Sequence, residues 1–477
     1  GVNKNGGVIM AAKEMSVQKR AAILLAILAL FVALDILPTP DGLTLEGKRS
    51  LALILCTTLI WISNVLPLGL VAMGALLLMP VLKLCTLPQA ADKFCEPVFF
   101  FMVANYVVAN GLAVTGLDRR ITLLLAIASK GNAKKLLFIF MMGAAILSMV
   151  LSDMGVVLMM LPIALMLLRA TGCEPGKSNY GRAIMVGLPV AALIGGMGTP
   201  AGSATNVLSL TVLENTAGIQ VTFTQWACLG VPIVLLLVPI VYKIVWCVYR
   251  PEITSLQGME NAQEQLRGLG QMKGQEKKFI AVMLLLILAW LTESVHGLPI
   301  AITTTLGALV FFLPGIDVLN WENTKNAIMW DIILVVNSCS ALGSVIWDSG
   351  AAAWIANDIS VLLDGQSVVV MLIILGLVIA YAHLICPVNP ALVSIFVPIT
   401  CTIAAAQGLN PACLAIPIGF MVSAACLIPL DAIPLVCYGS GYFKMIEMFK
   451  SGVFIVFAWV LVVTLIMMTI APMLGLM

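Results

Sequence analysis

Apolar runs of about twenty residues, parted by short polar breaks, recur along most of this 477-residue chain, for example at 21–38, 226–248, 279–297 and 452–472. Each is long enough to cross the roughly 30 Å hydrocarbon core of a bilayer as a helix. Backbone polar groups in lipid must be satisfied within the segment, so such runs form helices rather than open strands. The pattern predicts an all-α polytopic membrane protein with about eleven transmembrane helices.

Four elements break the pattern. LSDMGVVLMMLP at 151–162 and PVNPALVSIFVP at 387–398 set polar residues about ten positions ahead of a proline inside apolar sequence. The first lies in residues 136–168, too long for one crossing, which predicts a re-entrant hairpin turning at Ser148 to Gly155. Its equivalent is 367–403, turning near Cys386 to Pro390. The other two are spans broken at the centre: 183–212 around GGMGTPAGSATN, and 411–440 around LIPLDAIP. Gly and Pro free backbone groups there, which a membrane tolerates only where they line a cavity or bind something.

Landmarks repeat in one order. Trp61 and Trp290, Pro67 and Pro299, TGLDRRI at 115–121 and SGAAAWI at 349–355, and Pro162 and Pro398 are separated by 229 to 236 residues. This predicts two related halves. The expected organisation is an N-terminal segment with the first transmembrane helix (1–46), a first repeat (47–249), a linker (250–278) and a second repeat (279–477). An odd number of crossings between equivalent points would invert one half against the other, the architecture of secondary transporters. The linker, with Gly, Gln and charges of both signs, is expected to connect the halves in the cytoplasm without chemistry of its own.

Composition agrees with a membrane setting: 61% of residues are apolar and 10% charged, and the mean hydropathy is +1.09. The net charge of +2 gives no reason to expect a nucleic-acid partner. Basic residues are sorted. Lys4, Lys13, Lys19 and Arg20 precede the first span, a second group lies at 119–135 and a third in the linker, whereas none lies between Lys325 and Lys444. Placing the rich segments inside predicts a plasma (inner) membrane protein with a cytoplasmic N-terminus and an external C-terminus. Most of the twelve cysteines lie in apolar runs; Cys85 and Cys95 share a loop assigned to the outside, where a disulfide is conceivable.

WISNVLPLGLVAMGALLLMPVL, GLDRRI, WLTESVHGLP, NWENTKNAIMW at 320–330 and CLIPLDAIPLVCYGSGY at 426–442 resemble the divalent anion/sodium symporter family, over about residues 47–475. The resemblance implies eleven crossings, two hairpins, a homodimer and an elevator-like moving domain that carries di- and tricarboxylates or sulfate, mostly with sodium. The family marks each hairpin tip with a Ser-Asn-Thr triplet that contacts substrate carboxylates and helps bind sodium. Here the aligned residues are Ser152-Asp153-Met154 and Val388-Asn389-Pro390, a departure that retains one Ser and one Asn.

The residues themselves point the same way. A hairpin tip meeting a broken helix gathers carbonyls, hydroxyls and helix-end dipoles at one depth, suited to cations on one side and anionic groups on the other. Ser148, Ser152 and Asp153 opposite Gly202 are expected to form one cation site, and Cys386 and Asn389 opposite Leu427 and Asp431 the other. Substrate is expected between them, against Ser152, Asp153, Met154, Ser203, Thr205, Asn206, Asn389, Pro390 and Pro434. Asp153 and Asp431 admit four roles: sodium ligand, proton carrier, partner of an amino group on a zwitterionic substrate, or hydrogen-bonded cap of a broken helix. His383 is a candidate proton relay or a packed core residue.

The expected function is secondary active transport of a small organic anion, a di- or tricarboxylate first, driven by sodium, protons or exchange. A sulfonate, sulfate or zwitterion carrier and a cation/proton antiporter are the alternatives. An intramembrane aspartyl hydrolase is more remote, since neither Asp lies in a Gly-x-Gly-Asp setting and both lie in repeated elements. No organic cofactor is implied, and two histidines argue against a transition-metal centre.

Overall fold

The computed structural model describes residues 16–363 and 365–477, so Lys4 and Lys13 lie outside the described residues. In chain order, the helices before the linker are α1 (Val17–Ile36), α2 (Leu45–Ser63), α3 (Leu68–Val81), α4 (Leu87–Phe94), α5 (Pro97–Thr115), α6 (Leu117–Ala128), α7 (Ala133–Ser148), α8 (Asp153–Ala170), α9 (Asn179–Gly196), α10 (Ala204–Ala217) and α11 (Phe223–Tyr249). The linker holds α12 (Met259–Leu269). There follow α13 (Gly274–Leu291), α14 (Glu293–His296), α15 (Ile300–Val310), α16 (Trp321–Thr324), α17 (Trp330–Asp348), α18 (Ala351–Leu363), α19 (Val368–Ala382), α20 (Asn389–Ala406), α21 (Ala412–Met421), α22 (Ala432–Tyr438) and α23 (Met445–Ile470).

The protein is all-helical; among the described residues the one extended pairing is an isolated bridge between Asn132 and Ser255. Six helical stretches among them are long and apolar enough to cross a membrane: 87–115, 153–170, 223–249, 330–348, 389–406 and 445–474. Shorter apolar helices occupy 68–81, 300–310, 368–382 and 412–421. Local chemistry sets many ends. Thr86 and Thr222 begin α4 and α11 with reciprocal capping boxes to Gln89 and Gln225, and Gly116, at φ 75°, turns the chain between α5 and α6.

Packing partners recur across the chain. α7 lies against α9 as α19 lies against α21, and α11 covers α7 and α9 as α23 covers α19 and α21. Across the halves the partners are exchanged: α10 packs on α20 and α21, while α22 packs on α8 and α9. Likewise α3 packs on α17 and α5 on α15. The landmark tryptophans behave alike. Each is buried at the end of its helix, Trp61 donating to the Leu68 carbonyl at 3.2 Å and Trp290 to the Thr304 hydroxyl at 3.0 Å.

The linker is more than a tether. Leu256 N–H donates to the Gly131 carbonyl at 2.8 Å, and Ala133 N–H to that of Thr254 at 3.0 Å. The Arg120 guanidinium, on α6, forms a buried ion pair with Glu276 of α13 at 2.7 Å and donates to the Gly270 carbonyl at 2.9 Å. Arg120 thus joins α6, the linker and the second half. Cys85 and Cys95 are both free thiols, so the conceivable disulfide is not formed. Asn110 bonds across helices to Thr324 at 3.1 Å, whereas Asn337 turns its amide back to the Ile333 carbonyl of its own helix at 2.8 Å.

Candidate solute and cation site

In the first half, α7 ends at Ser148, residues 149–152 turn, and α8 begins at Asp153. Against this tip lies the interruption between α9 and α10, with a 3-10 turn at Pro200–Gly202. The approach is backbone on backbone. Gly195 sits where a Cβ would overlap the Ala145 main chain, and a Cβ at Gly202 would overlap the carbonyls of Gly196 and Ser148. Thr199 donates its hydroxyl to the Met149 carbonyl. From behind, the Trp226 indole of α11 donates to the Met197 carbonyl at 2.9 Å, and Gly230 abuts the Gly198 backbone. Trp226→Phe is expected to leave that buried carbonyl unpaired, at a cost of about 1–3 kcal/mol, read as a lower unfolding temperature in detergent.

Polar groups gather around Gly196. A Cβ there would stand 3.0 Å from Asp153 Oδ2, so the carboxylate rests on this glycine. Asp153 Oδ1 accepts from the Met154 N–H at 2.9 Å. Asn206 donates its Nδ2 to the carbonyls of Gly196 at 2.7 Å and Thr199 at 2.8 Å. Those two bonds orient the amide, and its Oδ1 is left buried without a partner, as is the Ser148 hydroxyl. Ser203 and Thr205 share a hydroxyl hydrogen bond of 2.9 Å at the start of α10.

In the second half, α19 ends at Ala382, residues 383–388 turn, and α20 begins at Asn389. The facing interruption runs from 422 to 431. Asp431 caps α22, its Oδ1 accepting from Ile433 N–H at 2.9 Å and its Oδ2 from Asn389 Nδ2 at 3.0 Å. One side chain therefore ties hairpin tip to broken helix. Asn389 Oδ1 remains buried and unpartnered. Leu427 is packed under Gly452 of α23, the counterpart of Gly230 on Gly198. The Cys386 thiol points to the Val388 carbonyl at 3.9 Å. Pro434 is buried in α22, and the Pro390 carbonyl accepts from Ser394 at 3.0 Å.

His383 is buried, neither ring nitrogen has a hydrogen-bond partner, and it makes no bond to either aspartate. It shares with Leu427 and Asp431 a cavity of about 10 Å3, room for one water.

The two halves meet through α22, which Asp431 caps, on α8, which begins at Asp153, and through α10 on α20. The structure thus gathers Ser148, Ser152, Asp153, Met154, Gly202 and Asn206 at one junction, and Asn389 and Asp431 at the other, with Cys386, Leu427 and His383 around the second. No Lys or Arg occurs in 145–158, 195–206, 383–398 or 422–438. Sequence reasoning missed Tyr106, on α5, whose phenol also stands within reach of the Asp153 charge. A single Tyr in an apolar run gives no signal of that placement.

The family profile described as the sodium:sulfate symporter transmembrane region matches residues 18–477. The chain belongs to this family. Among its relatives are the "Sodium-dependent dicarboxylate transporter SdcS" of Staphylococcus saprophyticus, 24% identical and covering 93% of this chain and 90% of that one. Another is an uncharacterized transporter of Haemophilus influenzae, 27% identical over 90% of this chain and 92% of that one. Among solved structures the fold is similar to that of Neisseria gonorrhoeae MtrF, described as illuminating a class of antimetabolite efflux pumps, with a TM-score of 0.52, 13% identity and 94% of each chain covered. Membership of the sodium:sulfate symporter family makes this an integral membrane transporter and not an enzyme.

Proposed function

We propose that the protein is a secondary active carrier that couples sodium to the movement of a small organic anion of the di- or tricarboxylate type. The observation that carries this reading is the meeting of two tip-and-break junctions, each with a carboxylate and unpartnered buried oxygens, in a site without Lys or Arg. Oxygen surplus calls for a cation, and Ser148, Asp153 and the Gly196 carbonyl beside Gly202 are the donors that would hold sodium in the first half. The residues before α8, α10 and α20 supply no side-chain cap, and with Met154 N–H taken by Asp153 and no N–H on Pro390, the N–H groups of Gly155, Ala204, Thr205 and Asn389 are the ones open to carboxylates of the solute.

The same electrostatics makes coupling strict. A solute carboxylate about 4 Å from an aspartate, at an effective dielectric of about 20, is repelled by about 4 kcal/mol, so the anion enters only after a cation has neutralised the site. The name of the staphylococcal relative supports sodium in that role. The matched packing of the halves supports inverted repeats with two re-entrant hairpins, α7 with α8 and α19 with α20; the elevator-like homodimer rests on the family resemblance, and the cytoplasmic N-terminus on the sorting of basic residues.

Purified protein in liposomes is expected to take up labelled succinate, malate or citrate at least about tenfold faster with an inward sodium gradient than with choline, the factor that one neutralised repulsion supplies with room to spare. Uptake that ignores sodium at neutral pH but follows an imposed proton gradient would transfer the coupling to protons. Turnover of a solute or peptide without movement would reject the carrier.

A further inference from the structure

The hydrogen-bond inventory of the site is lopsided in a way that a plain dicarboxylate does not satisfy. Three uncapped helix starts, those of α8 and its counterpart α20 and that of α10, offer N–H donors from both halves. That suits two carboxylates. The acceptors are not shared so evenly. Asp431 already accepts from Ile433 and Asn389, one donor on each oxygen, whereas Asp153 accepts at Oδ1 from Met154 of its own helix while Oδ2 faces Gly196. The Asn206 amide donates to the Gly196 carbonyl, that carbonyl and the Ser148 carbonyl converge at Gly202, and the side chains of Asn206 and Ser148 are both fully buried with an unpartnered oxygen. A dicarboxylate brings only further acceptors to this corner; an ammonium group brings three donors and a positive charge.

We propose that the solute carries an amino group as well as its carboxylates, an α-amino dicarboxylate, with the ammonium held at Asp153 in the first-half junction. This rests on the carrier reading above and narrows it. Asp431 is then a positioning residue, locked to Asn389, while Asp153 selects the solute. One sodium on the Ser148 and Gly196 carbonyls is compatible with it, because a carboxylate has about four lone-pair sites and can meet an ammonium and a sodium together.

L-Aspartate and succinate share a carbon skeleton and differ by that ammonium, so they test the idea directly on the wild-type protein. L-Aspartate is expected to compete for sodium-driven uptake at about ten- to a hundredfold lower concentration than succinate, the worth of one charge-assisted hydrogen bond. Asp153→Asn is expected to collapse that ratio towards unity by weakening L-aspartate, which loses both its ammonium partner and a sodium contact, more than succinate, which loses the sodium contact only. If L-aspartate does not compete while succinate is carried with sodium, the proposal falls and the carrier reading stands. If Asp153→Asn weakens both solutes equally, Asp153 serves the cation only and the proposal also falls. The ratio is internal to each preparation, so partial misfolding of the variant does not move it.

Discussion

Gly195→Val is expected to yield no transport and no monodisperse protein, and Gly195→Ala a folded but severely weakened one. The reason is geometric. α7 and α9 touch through bare backbone at this point, and even the single methyl of alanine would fall within the Ala145 main chain. Backbone cannot rotate aside as a side chain does, so one helix must shift. Overpacking in a close-packed interior costs about 1–3 kcal/mol, and contact with main chain lies at the upper end. Because Gly195 adjoins Gly196, on which Asp153 rests, the shift would also carry the site out of register. Size-exclusion profiles and unfolding temperatures in detergent check the first part; succinate and L-aspartate uptake checks the second. A Gly195→Val protein that transports normally would mean that the hairpin and the broken helix are not packed as described.

The second large effect concerns Asp431. Asp431→Ala removes the cap of α22 and frees Asn389 together, two hydrogen bonds to a charged group worth about 1.5–3 kcal/mol each. Transport is expected to fall by two orders of magnitude or more, on the order of what those bonds supply. Asp431→Asn should be much milder. An amide still accepts from Ile433, and Asn389 has an unpartnered Oδ1 that a flip of its own amide can offer to the new N–H group. The pair of variants therefore separates a structural brace from an obligatory charge. Equal loss in both would show that the negative charge itself is required.

Much of this was legible in sequence, for physical reasons that differ from residue to residue. Span-length apolar runs announce membrane helices because lipid admits no other backbone. Ser152, Asp153 and Asn389 stand out because polar groups are costly in such runs, and they lie where the structure starts α8 and α20. The second turn, at 383–388, begins earlier than the expected Cys386 to Pro390, because α19 stops at Ala382. What sequence does not carry is which groups meet. That Asp431 is bound to Asn389, while Asp153 rests on Gly196, depends on how hairpin tip and broken helix approach in each half. The partnership of Arg120 with Glu276, and the place of Tyr106 near Asp153, depend on the same long-range packing. The linker looked inert because its polar composition hides a helix and the backbone carbonyls that Arg120 reads.

The exchange of short helices between the halves has a consequence for biogenesis. The groove on α8 and α9 is filled by α22, which begins about 280 residues after α8. At about 5–20 residues per second, the ribosome leaves that groove vacant for about 15–55 seconds. Throughout that interval the glycine-rich interruption at 195–203 must be sheltered by the insertion machinery or by neighbouring lipid and water. Maturation of the solute pocket is thus one of the last events in the life of the nascent polypeptide, and a chain stalled before residue 432 would be a ready target for membrane quality control.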